Sequence, residues 1–180
     1  MRLALLAAAV AALVALATPT PADDKGTTVE LAGLRSTTPA DWKSEPGPSK
    51  SIVPRLYTFK LAKAAGDPED AELAVFLTPG GGTIEQNVDR HVAKFESPMK
   101  KQEKLKVGGL DAAYLDLQGT YLKKFPPNDP NAKVTKLPEY RELYVVFETK
   151  DGLASIVLLG PAKTVEKHKK AFDDWLKNFK

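Results

Sequence analysis

The stretch Leu73–Phe95, LAVFLTPGGGTIEQNVDRHVAKF, contains the transition that decides the fold. Leu73 to Leu77 is a nearly continuous apolar run of strand length. It breaks at Thr78-Pro79-Gly80-Gly81-Gly82, a turn by composition. Thr83 and Gln86 then stand at the spacing of a capping box, in which each side chain satisfies a free backbone N–H of a first helical turn. Ile84, Val88, Val92 and Phe95 follow at helical intervals, so the spacing predicts a helix with one buried stripe, stopped by Ser97-Pro98.

On either side of this helix the apolar residues recur with period two, the signature of strands. Upstream, Val29, Leu31 and Gly33 open a first strand that ends at Thr37-Thr38-Pro39-Ala40-Asp41, with Trp42 directly after. Residues 43–54 carry Pro46, Gly47, Pro48 and Ser49 and read as a loop, and Arg55–Leu61 alternates as the next strand. Downstream, Gln102–Val107 and Ala112–Leu122 flank Gly108-Gly109, and Tyr140–Thr149 and Leu153–Leu159 flank Lys150-Asp151-Gly152, both hairpin signals. Between the two hairpins, residues 123–138 hold four prolines and read as a long mobile loop. Gly160-Pro161 ends the strands, and Thr164–Phe179 shows a helical stripe of Val165, Phe172, Trp175, Leu176 and Phe179. The expectation is an α+β fold: an antiparallel sheet of six to seven strands sandwiched with two main helices, over residues 29–180.

Residues 1–22 have a different character. Arg2, an unbroken apolar run from Leu3 to Ala17, and a polar Thr18-Pro19-Thr20-Pro21-Ala22 outline a secretory signal peptide, cleaved after Ala17 or Ala22, with 23–28 as a short linker. The run is shorter than the ~20 residues that cross a bilayer. The expected address is periplasmic or extracellular, with no membrane span after cleavage. Loss of Arg2 leaves 25 basic against 23 acidic side chains, so the formal charge of +3 falls to +2. The 180-residue chain has no cysteine, which excludes disulfides, thiolate metal sites, cysteine nucleophiles and lipid attachment at a cysteine.

Three features together resemble the Mog1/PsbP-like fold: Pro39-x-x-Trp42 closing an N-terminal strand, a Gly-rich turn into the helix Asn87-Val88-Asp89-Arg90, and Gly160-Pro161 before a last helix ending Trp175-Leu176-x-x-Phe179. The chain is similar in particular to small secreted proteins of unassigned function from planctomycete-type bacteria. The resemblance covers about Val29 to Phe179 and implies an antiparallel sheet between helices. Its best-known members are not enzymes; one group binds a small GTPase and another assists photosystem assembly. No catalytic residue carries over, and His91 departs from the pattern, standing where relatives tend to have Trp.

The chemistry legible in the residues is sparse. Gly80-Gly81-Gly82-Thr83 meets a helix N-terminus, yet it lacks the Lys-Ser/Thr of a phosphate loop and the G-x-G-x-x-G of a dinucleotide loop. His91 and His168, one on each expected helix, read as semi-buried histidines at the edge of a core. Asp67, Glu69, Asp70 and Glu72 read as a solvated acidic turn, without EF-hand order. The strip Lys94, Lys100, Lys101, Lys104 and Lys106, extended by Lys167, Lys169 and Lys170, is diluted by Glu96, Glu103 and Glu166 and reads as ordinary surface. No G-x-S-x-G is present, and no cofactor, metal or nucleic-acid partner is expected.

Two functional expectations follow. The first is a non-enzymatic exported domain that binds an unidentified protein or envelope component through loops at one sheet edge, using the aromatics Trp42, Tyr121 and Tyr140. The alternative is a small-ligand-binding domain or hydrolase with a pocket beside the helix starting at Thr83. A pocket that gathers His91 with two or more carboxylates or hydroxyls separates this alternative from plain core. Trp42, Gly81, Gly82, His91, Tyr121, Tyr140 and Arg141 form the candidate partner or ligand surface.

Overall fold

The period-two residues pair into one large sheet. The computed structural model describes residues 25–47, 54–127, 129 and 131–180, so the expected signal peptide at 1–22 lies outside the described residues. In chain order the elements are β1 Thr28–Leu31, β2 Leu34–Thr37, β3 Lys43–Glu45, β4 Arg55–Leu61, β5 Ala71–Thr78, α1 Ile84–Val92, β6 Phe95–Val107, β7 Leu110–Phe125, β8 Lys133–Thr149, β9 Gly152–Pro161 and α2 Ala162–Lys177. Strands β3 to β9 form a seven-stranded sheet in the order β3-β4-β5-β9-β8-β7-β6, and every pairing in it is antiparallel. β1 and β2 make a separate two-stranded hairpin. This is the α+β sandwich that the alternation predicts.

The two faces of the sheet are covered unequally. On one face Phe59, Leu73, Val75, Leu143, Val145, Ile156 and Leu158 are fully buried against Val165, Phe172, Trp175 and Leu176 of α2 and against Val29 and Leu31 of the hairpin. On the other face the nine-residue α1 inserts Val88 against Leu115, Leu117, Tyr144 and Val146, and so roofs only the β6, β7 and β8 side. The consequence is visible along β9. Ala154, Ile156 and Leu158 point toward α2 and are fully enclosed, while Ser155, Val157 and Leu159 point the other way and are only half-buried.

Five expectations change in detail. The expected first strand is two strands, β1 and β2, folded back on each other at Ala32-Gly33, where φ is positive at both residues. Lys43–Glu45, expected as loop, is an edge strand paired with β4. Phe95 leaves the helical stripe and begins β6, whose pairing shifts between Glu96 and Met99, so Ser97-Pro98 marks a bulge inside a strand instead of a helix stop. The mobile loop expected at 123–138 is mostly strand: β7 runs on to Phe125 and pairs with Lys133–Leu137 of β8. Pro126 and Pro127 sit beyond the last paired rung and Pro138 beside a register shift, where a missing N–H breaks no ladder bond, and Pro130 lies outside the described residues. Trp42, expected as an exposed aromatic, is 3% exposed, edge-on to Trp175 at 5.4 Å and near Phe59, so it belongs to the core and presents no ring to a partner.

The acidic turn also proves structural. α2 begins after Pro161, which offers no side-chain cap. Asp67 supplies one from the β4–β5 connection, accepting from the backbone N–H of Thr164 at 2.8 Å and from its hydroxyl at 2.6 Å. Glu69 accepts from the Tyr140 hydroxyl, and Asp70 accepts from the Lys63 backbone N–H at 2.9 Å. Among the described residues no group of three or more His, Cys, Asp or Glu is placed to hold a metal, and His168 lies on the opposite side of the sheet from His91, with Nε2 2.9 Å from the Ala62 carbonyl.

Candidate functional site

Where α1 stops short, the sheet is left open beside it. The capping box forms as its spacing requires: the Thr83 hydroxyl accepts from the Gln86 N–H, and the Gln86 side chain accepts from the Thr83 N–H. This cap, with Asn87 donating to the Gly81 carbonyl at 2.8 Å, holds the glycine turn over the ends of β5 and β9. Between turn, helix and sheet lies a cavity of about 510 Å³, a volume suited to a small ligand. Its floor is apolar, made by Ala74 and Phe76 of β5 and Leu153, Val157 and Leu159 of β9. Its rim and end wall carry Arg55, Arg90, Lys94, Glu72 and Glu142, with Tyr121, Tyr144, Ser155 and Thr78 supplying hydroxyls.

At the end wall the side chains form a chain of contacts. His91, on the inner face of α1, stacks on the Tyr144 ring at 3.6 Å and 10°. Its Nδ1 lies 2.5 Å from Glu142 Oε1, and the Glu142 side chain is 1% exposed. Since a carboxylate can only accept, Nδ1 carries the hydrogen and Nε2 keeps the lone pair, and the Lys94 ammonium stands 3.2 Å from both ring nitrogens. Burial pushes the His91 imidazole below its ordinary value, against the opposing pull of Glu142. Burial also lowers Lys94, and the Glu142 charge again opposes it. Tyr121 is pushed up to about 12, chiefly by burial, so it enters the cavity as a neutral donor.

Two polar atoms here lack hydrogen-bond partners among the described residues. Glu142 Oε2 is buried with nothing donating to it. Arg55 Nη1 lies 2.7 Å from Glu72 Oε1 but has no hydrogen aligned on it, a charge contact without a hydrogen bond. The Arg55 guanidinium rests over the Phe76 ring, 5.9 Å from its centroid, and so faces the open cavity. Buried donors and acceptors are normally paired with protein or with water, and leaving one unpaired costs stability.

Of the candidate residues named from the sequence, the structure brings Gly81, Gly82, His91 and Tyr121 to this one cavity. Tyr140 lies next to it, stacked on Tyr121 at 6.1 Å, with its hydroxyl held by Glu69. Arg141 is one residue from Glu142 and therefore faces the other side of the sheet, paired with Asp116 at 2.7 Å and with Glu166. Those two carboxylates hold its guanidinium well above the usual arginine range. Trp42 is in the core under α2. Sequence reasoning did not single out Arg55, Arg90 or Glu142. The signal for Glu142 was present, as a charged residue at a buried position of the alternation Tyr140, Glu142, Tyr144, Val146.

No family model matches the chain, and no curated protein matches it in sequence. Among solved structures, the solution structure of cyanobacterial PsbP (CyanoP) from Synechocystis sp. PCC 6803 aligns with a TM-score of 0.52 and 13% identity, over 92% of this chain and 98% of that one. A Pseudomonas aeruginosa protein of unknown function aligns at 0.49 and 13% identity, over 84% and 93% of the two chains. LpqN, involved in cell envelope biogenesis of Mycobacterium tuberculosis, aligns at 0.49 and 14% identity, over 90% and 88%. With seven antiparallel strands and two helices in the order described, the chain has a Mog1/PsbP-like fold.

Proposed function

We propose that the chain is an exported, non-enzymatic binding domain that seats a small anionic molecule with an apolar body in the cavity beside α1. The observation that carries this reading is the convergence of Arg55, Arg90 and Lys94 on a cavity whose floor is Ala74, Phe76, Val157 and Leu159. Three cations against two carboxylates favour an anion at the rim, while the apolar floor accepts a hydrocarbon part. His91 reads as a wall residue of a binding site: its Nδ1 is held by the buried Glu142 and its ring is stacked on Tyr144, with the Lys94 ammonium beside it. Export rests on the apolar run between Arg2 and Thr18. No helix among the described residues is long and apolar enough to cross a membrane. The loop-edge reading loses its carriers, since Trp42 is core and the aromatics Tyr121 and Tyr140 belong to the α1 side of the sheet.

Octyl phosphate, octanol and octyltrimethylammonium test the reading by calorimetric titration. Octyl phosphate is expected to bind best, and Arg55→Ala with Arg90→Ala to weaken it by about tenfold or more, as for lost charge-assisted hydrogen bonds. Equal binding of the three probes, or an unchanged affinity in the double variant, overturns it.

A further inference from the structure

Beyond the sheet proper, β7 and β8 continue as a bare ribbon. β6 pairs as far as Phe95 with Tyr121, and β9 as far as Pro161 with Tyr140. Past those points the rungs from Leu122 with Lys136 to Phe125 with Lys133 have no strand on either side among the described residues. A free ribbon is normally polar, yet this one shows Phe125 at 74% and Val134 at 46% exposure, beside the exposed Pro126 and Pro127. Large apolar side chains held out by a ribbon, away from any core, are a contact surface in waiting.

Basic side chains outnumber acidic ones around them, three lysines against Asp129 at the tip, whose carboxylate accepts from the Asn131 backbone N–H. Lys123, Lys124 and Lys133 are exposed and have no acidic partner among the described residues, whereas Lys136 is taken by Glu96 at 2.8 Å. Elsewhere on β6 the lysine strip is partly neutralised, Lys101 by Glu103 and Lys106 by Asp111. The ribbon thus combines unpaired cations with an exposed aromatic, the composition that a lipid–water interface accepts: lysines in the anionic headgroups and the ring at the acyl boundary. A soluble polyanion would use the lysines and leave Phe125 unemployed.

We propose that the end of the β7–β8 ribbon docks on an anionic lipid surface, with Phe125 inserted and Lys123, Lys124 and Lys133 on the headgroups. A smaller cavity of about 310 Å³ at the ribbon root, lined by Leu122, Lys124 and Pro127, shares Arg90, Lys94 and Tyr121 with the cavity beside α1, so the docked ribbon end and that cavity are neighbours. The docking surface stands independently of what the cavity binds.

Co-sedimentation of the purified protein with phosphatidylcholine vesicles, with and without phosphatidylglycerol, tests it. Phosphatidylglycerol is expected to raise the bound fraction, and added salt to lower it. Phe125→Ser is expected to reduce binding several-fold. Lys123→Glu, Lys124→Glu and Lys133→Glu together are expected to reduce it by about a hundredfold, at roughly fivefold per lysine. All four positions are exposed, so unchanged circular dichroism certifies the fold of the variants. Equal binding to both vesicle types, or full binding by both variants, overturns the proposal. Loss with the lysine variant but not with Phe125→Ser also overturns it, in favour of a polyanion site.

Discussion

His91 Nδ1 and Glu142 Oε1 lie 2.5 Å apart across the gap between α1 and β8, and this contact joins the short helix to the sheet. The His91 ring is held neutral by burial, with its folded value below the ordinary 6.5. On acidification the unfolded chain takes up its proton first, so stability present above about pH 6.5 is lost as pH falls toward the folded value. Glu142 is the group that raises His91, so Glu142→Gln is expected to lower the His91 value further and to cost about 1–3 kcal/mol at neutral pH. An NMR titration of the His91 ring and urea unfolding read the two effects; an upward shift in the variant contradicts the arrangement.

Asp67 caps a helix that begins a hundred residues later in the chain. Asp67→Ala removes the acceptor for both Thr164 donors and is expected to cost about 1 kcal/mol, or about 2–4 °C in Tm. Asp67→Asn retains an acceptor and should recover part of the loss. Thermal unfolding checks both.

Trp42 separates a core role from a surface role. Its ring packs on Trp175 and Phe59, so Trp42→Ala is expected to destabilise by about 3–5 kcal/mol while leaving octyl phosphate affinity of the remaining folded protein unchanged. Calorimetry below the unfolding midpoint measures the second quantity.

Gly152 holds the turn between β8 and β9 at a φ of 133°, and a Cβ placed there would stand 2.8 Å from the Thr78 carbonyl oxygen and 2.9 Å from the Pro79 backbone. Gly152→Ala therefore meets both a strained conformation and a backbone clash, with an expected loss of at least about 2 kcal/mol, visible as a lower denaturant midpoint.

Most elements of the fold can be read from local pattern. Thr83 and Gln86 mark the start of α1, and Asp151-Gly152 marks the last hairpin, because caps and turns are settled by residues a few positions apart. β6 was harder to see in full, since an edge strand with Lys100, Lys101, Lys104 and Lys106 solvated along it shows little alternation. The β7–β8 ribbon is hidden by its prolines: Pro126 and Pro127 lie past the last rung and Pro138 beside a register shift, where a missing N–H does no harm. The site was legible only in part. Gly81, Gly82, His91 and Tyr121 stand near recognisable elements, but Arg55 reaches the cavity through the pairing of β4 with β5, and Glu142 through a strand fifty residues beyond His91. Such meetings depend on strand order, which no local spacing encodes.

The unequal cover of the two sheet faces has a consequence for how the molecule opens. The α2 face carries the larger core, and its amides should exchange with solvent only when the whole domain unfolds. α1 rests on fewer apolar contacts and on the His91–Glu142 link, so it can lift while the sheet and α2 stay intact. A ligand in the cavity slows exchange at α1 by the factor 1 + [L]/Kd, and slows the α2-face amides by the same factor through its effect on global unfolding, while α1 keeps the lower protection of the two. Durability thus resides on one side of the sheet and the proposed recognition on the other, so substitutions around the cavity fall where they cost the fold least.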